Sequence, residues 1–225
     1  MKRYERLLCI GSVVVATTAL CIAIVIFALA LTCTPFIINS TLGGSQHASN
    51  TPLEVREEIA TLTLRYVIWG IDAQHMIETY RSDGEIGLDE IAHLRDVRAV
   101  FVATWTAGIV AACVAFVMFA WQWRKGWHRA QRRALLITGG ICVGGPLVLG
   151  VIIVAAFTAV FDLFHRVLFE AGTWTFPTST LLIQTFPEPF WRYIALVWAG
   201  LIVICGWALF GLVGPVGFEP TTKRL

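Results

Sequence analysis

Charge is what this sequence lacks most. Asp, Glu, Lys and Arg make up 14% of its 225 residues while hydrophobic types make up 57%. An ordinary soluble domain is about one quarter charged, so a water-soluble core is excluded as the home of most of the chain. The charges that exist are clustered, and residues 7–53, 99–123, 134–161 and 193–218 contain none. Paired cysteines are also missing. The six cysteines show no CxxC spacing and all fall in or beside apolar stretches, where they read as small hydrophobes and not as a disulfide or zinc framework. There is no GxSxG elbow, HExxH helix, Walker loop or GxGxxG turn, which removes the usual support for serine hydrolysis and nucleotide chemistry. The net charge of +2 is explained by topology, and nucleic-acid binding has no support.

What is present is hydrophobic length. Each charge-free stretch exceeds the roughly 20 apolar residues that cross about 30 Å of hydrocarbon at 1.5 Å per residue. The expected fold is all-α: a polytopic membrane protein of four transmembrane helices, near residues 7–33, 98–123, 134–162 and 192–213, in one domain over residues 1–213. Pro35 and the polar run 39–50 should end the first span near Cys33. That span reads as an uncleaved anchor, being too long for a signal peptide. Lys2, Arg3 and Arg6, then Arg124, Lys125, Arg129, Arg132 and Arg133, then Lys223 and Arg224 all fall on one side of such a topology. Basic segments stay cytoplasmic, which places both termini on the cytoplasmic side of the membrane and residues 34–97 and 163–191 on the other. The polar tail, residues 214–225, is expected to carry no function.

The outer segments should form a helical and looped cap. Thr51 as N-cap, Pro52 at the first helical position and Glu54 as capping-box partner predict a helix start. Val55, Ile59, Leu62, Tyr66 and Trp69 then recur at helical spacing until Gly70. Arg81-Ser82-Asp83-Gly84 reads as a turn. From Leu88 nothing breaks a helix until Gly126, so the second span should project beyond the lipid. The aromatic and proline-rich residues 172–191 predict a structured interfacial loop.

Two histidines stand out by height. His93 lies 31 residues from Arg124 and His165 lies 32 from Arg133, so both should sit about 46–48 Å from the basic loop if their helices are straight. Neighbouring helices pack about 8–10 Å apart, so the two side chains could share one substrate. A kink at Gly139, Gly140 or Gly144-Gly145-Pro146 would spoil that register. Glu90 and Asp96 flank His93, and Asp162 precedes His165, at the three-residue spacing that lets a carboxylate orient an imidazole. A purely structural reading is also open, with Asp162, Arg166 and Glu170 as an ion-pair ladder and the histidines as interfacial polar groups. His128 belongs to the basic loop, His47 to a polar linker, and His75 lies in the outer segment.

Glu90-Ile91-Ala92-His93-Leu94-Arg95-Asp96-Val97, then Phe164-His165, Gly172-Thr173-Trp174, Leu182-Ile183 and Phe186-Pro187-Glu188-Pro189-Phe190-Trp191, together resemble the bacterial integral membrane family that includes the lipoprotein intramolecular transacylase, Lit. The similarity runs to about Leu212. It implies an extracytoplasmic active site built on His93 and His165, with Glu90, Asp96, Asp162, Arg166 and Trp174 in support and no cofactor or metal. The implied substrate is a diacylated lipoprotein in the membrane lipid, whose sn-2 acyl chain moves to the α-amine of its N-terminal cysteine. Where the resemblance leads one to expect an aspartate before the Leu-Ile pair, this sequence has Thr178, Ser179 and Thr180. Two other classes compete: a non-catalytic envelope protein that binds lipid or partner proteins, and a metal or haem protein using the two histidines as ligands.

Overall fold

The computed structural model describes residues 3–71, 74, 77, 78 and 87–213. His75, the expected turn at 81–84 and the tail 214–225 lie outside the described residues. Four helices are long and apolar enough to cross a membrane: α1 (Arg3–Thr32), α4 (Leu88–Arg124), α5 (His128–Leu168) and α7 (Glu188–Val213). Between them lie α2 (Pro35–Gly44), α3 (Leu53–Leu64) and the short α6 (Leu181–Thr185). No strand occurs among the described residues.

The long helices pack through small residues, as helices must where lipid tails remove the hydrophobic drive between them. α1 lies against α4, α5 and α7, while α5 and α7 form the most extensive pair. A Cβ built on Gly206 of α7 would stand 3.0 Å from Cys142 Cβ and 3.0 Å from Val143 Cγ2 of α5, and one on Gly139 would stand 3.1 Å from the Gly206 carbonyl. Gly139 therefore serves close approach and not the expected kink. α5 also passes through Gly144-Gly145-Pro146 as helix, and its one non-helical residue is Ala156 (φ −146°, ψ 41°). Polar bonds join the helices as well: Gln122 donates to Ser12 at 3.0 Å, and the Trp198 indole to the Val25 carbonyl at 2.9 Å. Ile10, Val14, Val102, Phe116, Leu147 and Val151 stay exposed, the outward apolar surface that a bilayer would cover.

Beyond one end of the bundle, α2, α3, α6 and the starts of α4 and α7 bury a second core of Ile38, Leu42, Ile59, Tyr66, Ile91, Leu94, Leu182, Phe186 and Phe190. The expected polar linker after α1 is largely helix, with Thr34 extended before Pro35. α3 begins one residue later than expected. Pro52 holds the N-cap position, and no side chain caps the helix, because proline offers no side-chain acceptor; the Thr51 N–H donates to Ser49 Oγ at 3.1 Å. The expected apolar stripe is buried at Ile59, Leu62 and Tyr66. The last turn, Arg65–Trp69, widens to a π-helix, which rotates Val67 inward and leaves Trp69 79% exposed. Gly70 then leaves the helix at φ 71°, a left-handed conformation that glycine adopts without cost.

Two arginines fasten this cap. Arg56 is fully buried and meets no carboxylate among the described residues. It donates to the carbonyls of Leu42 and Thr185, to Gln46 Oε1 and to Ser45 Oγ, all at 2.8–3.1 Å. Leu42 and Thr185 close α2 and α6, and the negative ends of those helix dipoles serve as its counter-charge. Arg98 likewise donates to the Tyr66 and Val67 carbonyls at 2.9 Å, satisfying the end of the π-turn.

Candidate active site

Both histidines sit where the long helices enter the cap. At 1.5 Å per residue, α4 and α5 are about 56 and 62 Å long, well beyond the roughly 30 Å of hydrocarbon. His93 lies in the second turn of α4, and His165 in the last turn of α5, so the projecting ends carry them. Ile91 and Leu94 anchor α4 in the cap core and hold His93 between α4 and the loop that follows α5. Their imidazole centroids are 6.2 Å apart with planes inclined by 29°. The interruption at Ala156 falls between Pro146 and His165, so the last turns of α5 are aimed independently of its lower part.

Aromatic rings enclose the pair. Phe169 stands edge-on to His93 at 4.9 Å, Phe176 lies 5.7 Å from it, and Phe161 lies 4.1 Å from His165. Trp174 lies 5.0 Å from His165, its plane inclined by 33°, so the His165 ring has both His93 and the indole as neighbours. The loop reaches this position because Gly172 takes φ 88° and Thr173 Oγ1 bonds back to the Glu170 carbonyl at 2.9 Å. The aromatic shell was readable in part, since Phe161, Phe164 and Phe169 stand four before, one before and four after His165. The approach of Phe176 and the stacking of Trp174 have no such local signal.

His165 Nδ1 lies 2.8 Å from the Phe161 carbonyl oxygen. A carbonyl only accepts, so Nδ1 carries the proton, and the lone pair of the neutral ring is left on Nε2. His93 is 7% exposed, and its Nδ1 is buried without a partner, as is Trp174 Nε1. Burial pushes His93 down to about 4, helped by the neighbouring His165 charge and opposed by Asp96. Burial also pushes His165 below its ordinary value, against the Phe161 carbonyl and Asp162. Both rings are therefore neutral at pH 7, one able to accept a proton and both screened from water.

The carboxylates act differently from the expected orienting role. Glu90 is buried with both oxygens engaged: Oε2 accepts the Gly87 N–H at 2.8 Å and Oε1 the Leu182 N–H at 2.9 Å. Those donors open α4 and α6, so one side chain caps two helices and docks α6 beside His93. Asp96 is exposed and Asp162 half-buried, and each reaches its histidine as a charge, not as a bonded partner. Arg166 is exposed, and the expected ladder does not form because α5 ends at Leu168, before Glu170. An ion pair joins Arg192 and Glu188 at 2.5 Å instead, with the Arg192 guanidinium 5.4 Å over the Phe157 ring. Among the described residues, no group of three or more His, Cys, Asp or Glu converges as metal ligands do.

A model of the family "lipoprotein intramolecular transacylase Lit" matches residues 10–191. Among solved structures, the membrane-integral lipoprotein intramolecular transacylase Lit from Bacillus cereus superposes with a TM-score of 0.77 at 17% identity, covering 92% of this chain and 95% of that one. Two histidine variants of the same Bacillus cereus protein superpose similarly. The arginine variant has a TM-score of 0.74 at 15% identity, covering 93% and 92% of the two chains. The alanine variant has 0.72 at 14%, covering 93% and 94%. These likenesses establish the fold as that of a multi-pass membrane protein. No curated protein matches the sequence.

Proposed function

The chain belongs to the lipoprotein intramolecular transacylase family, Lit, and is a membrane acyltransferase of that kind; we propose that His93 and His165 carry out the transfer. The substrate is a lipoprotein whose N-terminal cysteine bears a diacylglyceryl group, and the sn-2 acyl chain passes to the α-amine of that cysteine. The observation that carries the assignment is the paired site itself: two neutral imidazoles 6.2 Å apart, one of them with Nδ1 committed to a backbone carbonyl and Nε2 free.

The chemistry follows from these states. An α-amine with a pKa of about 7.7–8.0 is mostly protonated at pH 7, so it needs a base before it can attack. His165 Nε2 takes the ammonium proton, and the amine nitrogen then attacks the sn-2 ester carbonyl. His165 releases that first proton to solvent; as the C–N bond forms and the carbonyl pair moves to oxygen it takes the second proton from nitrogen, and collapse breaks the bond to the glyceryl oxygen, which takes this second proton from His165. Of the two protons that leave nitrogen, one goes to solvent and the other ends on the glyceryl hydroxyl. Amine and ester belong to one molecule, so holding them in register supplies much of the rate without a covalent enzyme intermediate. His93 stabilises the negative oxygen that develops, and the aromatic shell strengthens that interaction by excluding water.

Residues 1–213 work as one four-span domain in this reading, with the cap and its histidines on the extracytoplasmic face of a bacterial cytoplasmic membrane and both termini inside. The test is expression in a bacterium without its own enzyme of this activity, followed by mass spectrometry of lipoprotein N-termini. Wild type should yield N-acylated, lyso-glyceryl lipoprotein, and His165→Ala and His93→Ala should lower the yield at least about 100-fold, the scale of general acid–base catalysis. Full conversion by either variant would sink the assignment.

A further inference from the structure

Trp174 Nε1 is a buried donor with no acceptor. Such groups are rare because a buried N–H loses its water without replacement, so an orphan beside a reacting group asks for a substrate acceptor. The indole lies 5.0 Å from the ring of the proposed base, the two planes inclined by 33°. Its loop is fixed by the Gly172 turn, the Thr173 bond to Glu170 and the Thr180 bond to the Pro177 carbonyl at 3.0 Å, so the donor is oriented before substrate arrives.

We propose that the Trp174 indole N–H donates a hydrogen bond to the sn-2 ester carbonyl oxygen and to the oxyanion it becomes, making Trp174 a catalytic residue of this site. The proposal rests on His165 being the base, as argued above. During attack the amine nitrogen bonds to the carbonyl carbon, the carbonyl electron pair moves to oxygen, and Trp174 shares its hydrogen with that oxygen without giving it up. When the intermediate collapses, the pair returns, the bond to the glyceryl oxygen breaks, and that oxygen leaves with the proton held by His165. Trp174 thereby joins His93 in stabilising the oxygen on which negative charge develops. An indole suits the task physically: it donates only, cannot ionise at working pH, and brings apolar surface that keeps the acyl ester dry.

The experiment measures kcat and KM of the full-length protein in lipid, with a synthetic diacylglyceryl-cysteine lipopeptide as substrate and mass spectrometry as readout. Trp174→Phe keeps a ring and deletes the N–H. Site-specific β-(3-benzothienyl)alanine at position 174 keeps the whole bicyclic shape with sulfur in place of N–H. Both should lower kcat about 100- to 1,000-fold, the usual effect of losing one oxyanion donor, with KM and thermal midpoint little changed. Full kcat in the benzothienyl variant overturns the proposal, and so does a fall in kcat matched by a fall in thermal midpoint, which would make the ring packing alone. His165→Ala is run beside them. If it stays active, the base assignment fails; if it is inactive while the benzothienyl variant is fully active, only the Trp174 assignment fails.

Discussion

A buried imidazole must be neutral to stay buried, and that makes His93 a liability in acid. Its folded pKa is about 4, against about 6.5 in an unfolded chain. Between those values the unfolded state binds a proton that the folded state refuses, so stability is complete above about pH 6.5 and falls as pH drops toward the folded value. His93→Gln removes this linkage while keeping a polar side chain of similar reach. Thermal unfolding at about pH 7 and about pH 5 should show a smaller acid loss in the variant than in wild type; equal losses would mean that His93 is not held neutral by its surroundings. Counting residues from the basic loop was enough to foresee that His93 and His165 stand level, because helix rise is fixed. It could not foresee the work of Glu90. The Leu182 N–H it accepts is 92 residues away, and only the folded cap brings an orphan donor of α6 to a carboxylate that local spacing had assigned to the histidine.

Between elements, the seam of α5 and α7 decides where His165 ends up. Gly206 has Cys142 and Val143 within 3.0 Å of where a Cβ would stand, whereas Gly200, on the same helix, has nothing within 4 Å. Gly206→Leu must therefore push the two helices apart, and overpacking of this kind costs about 1–3 kcal/mol. Gly200→Ala should be neutral or stabilise by about 0.5–1 kcal/mol, since it only trades glycine's backbone freedom for a better helix former. The check is thermal stability together with transfer rate. Gly206→Leu should lose both because α5 carries the base, and a fully active, fully stable Gly206→Leu would show that the seam can open without consequence. Helix existence was readable at this scale wherever charges vanished, and helix ends where a breaker stood, as at Gly70 and Gly126. Glycine's purpose was not. Gly139 read as a kink because sequence shows what a residue permits, and whether permission is spent on bending or on close contact depends on the partner helix. The break at Ala156 has no glycine or proline of its own and left no mark to read.

For the whole molecule, the asymmetry of its two ends is the argument that orients it. One end carries Arg124, Lys125, Arg129, Arg132 and Arg133 within ten residues. The other carries a folded cap in which the buried Arg56 and the half-buried Arg98 are spent on helix ends. Positive charge in short loops resists translocation, which supports the proposed orientation; the four spans were legible from composition although the cap's own packing was not. The substrate gives the same orientation a reason, because a lipoprotein's acylated N-terminus sits at the leaflet its folded part has crossed to. With the six native cysteines replaced by alanine, Glu58→Cys places a thiol on the exposed surface of the cap and Lys125→Cys one on the basic loop. In cells whose cytoplasmic membrane is intact, a membrane-impermeant maleimide should label the first, and the second only after that membrane is opened. The reverse pattern would put the histidines on the cytoplasmic side, where no diacylated lipoprotein N-terminus could reach them, and would remove the proposed reaction along with the orientation.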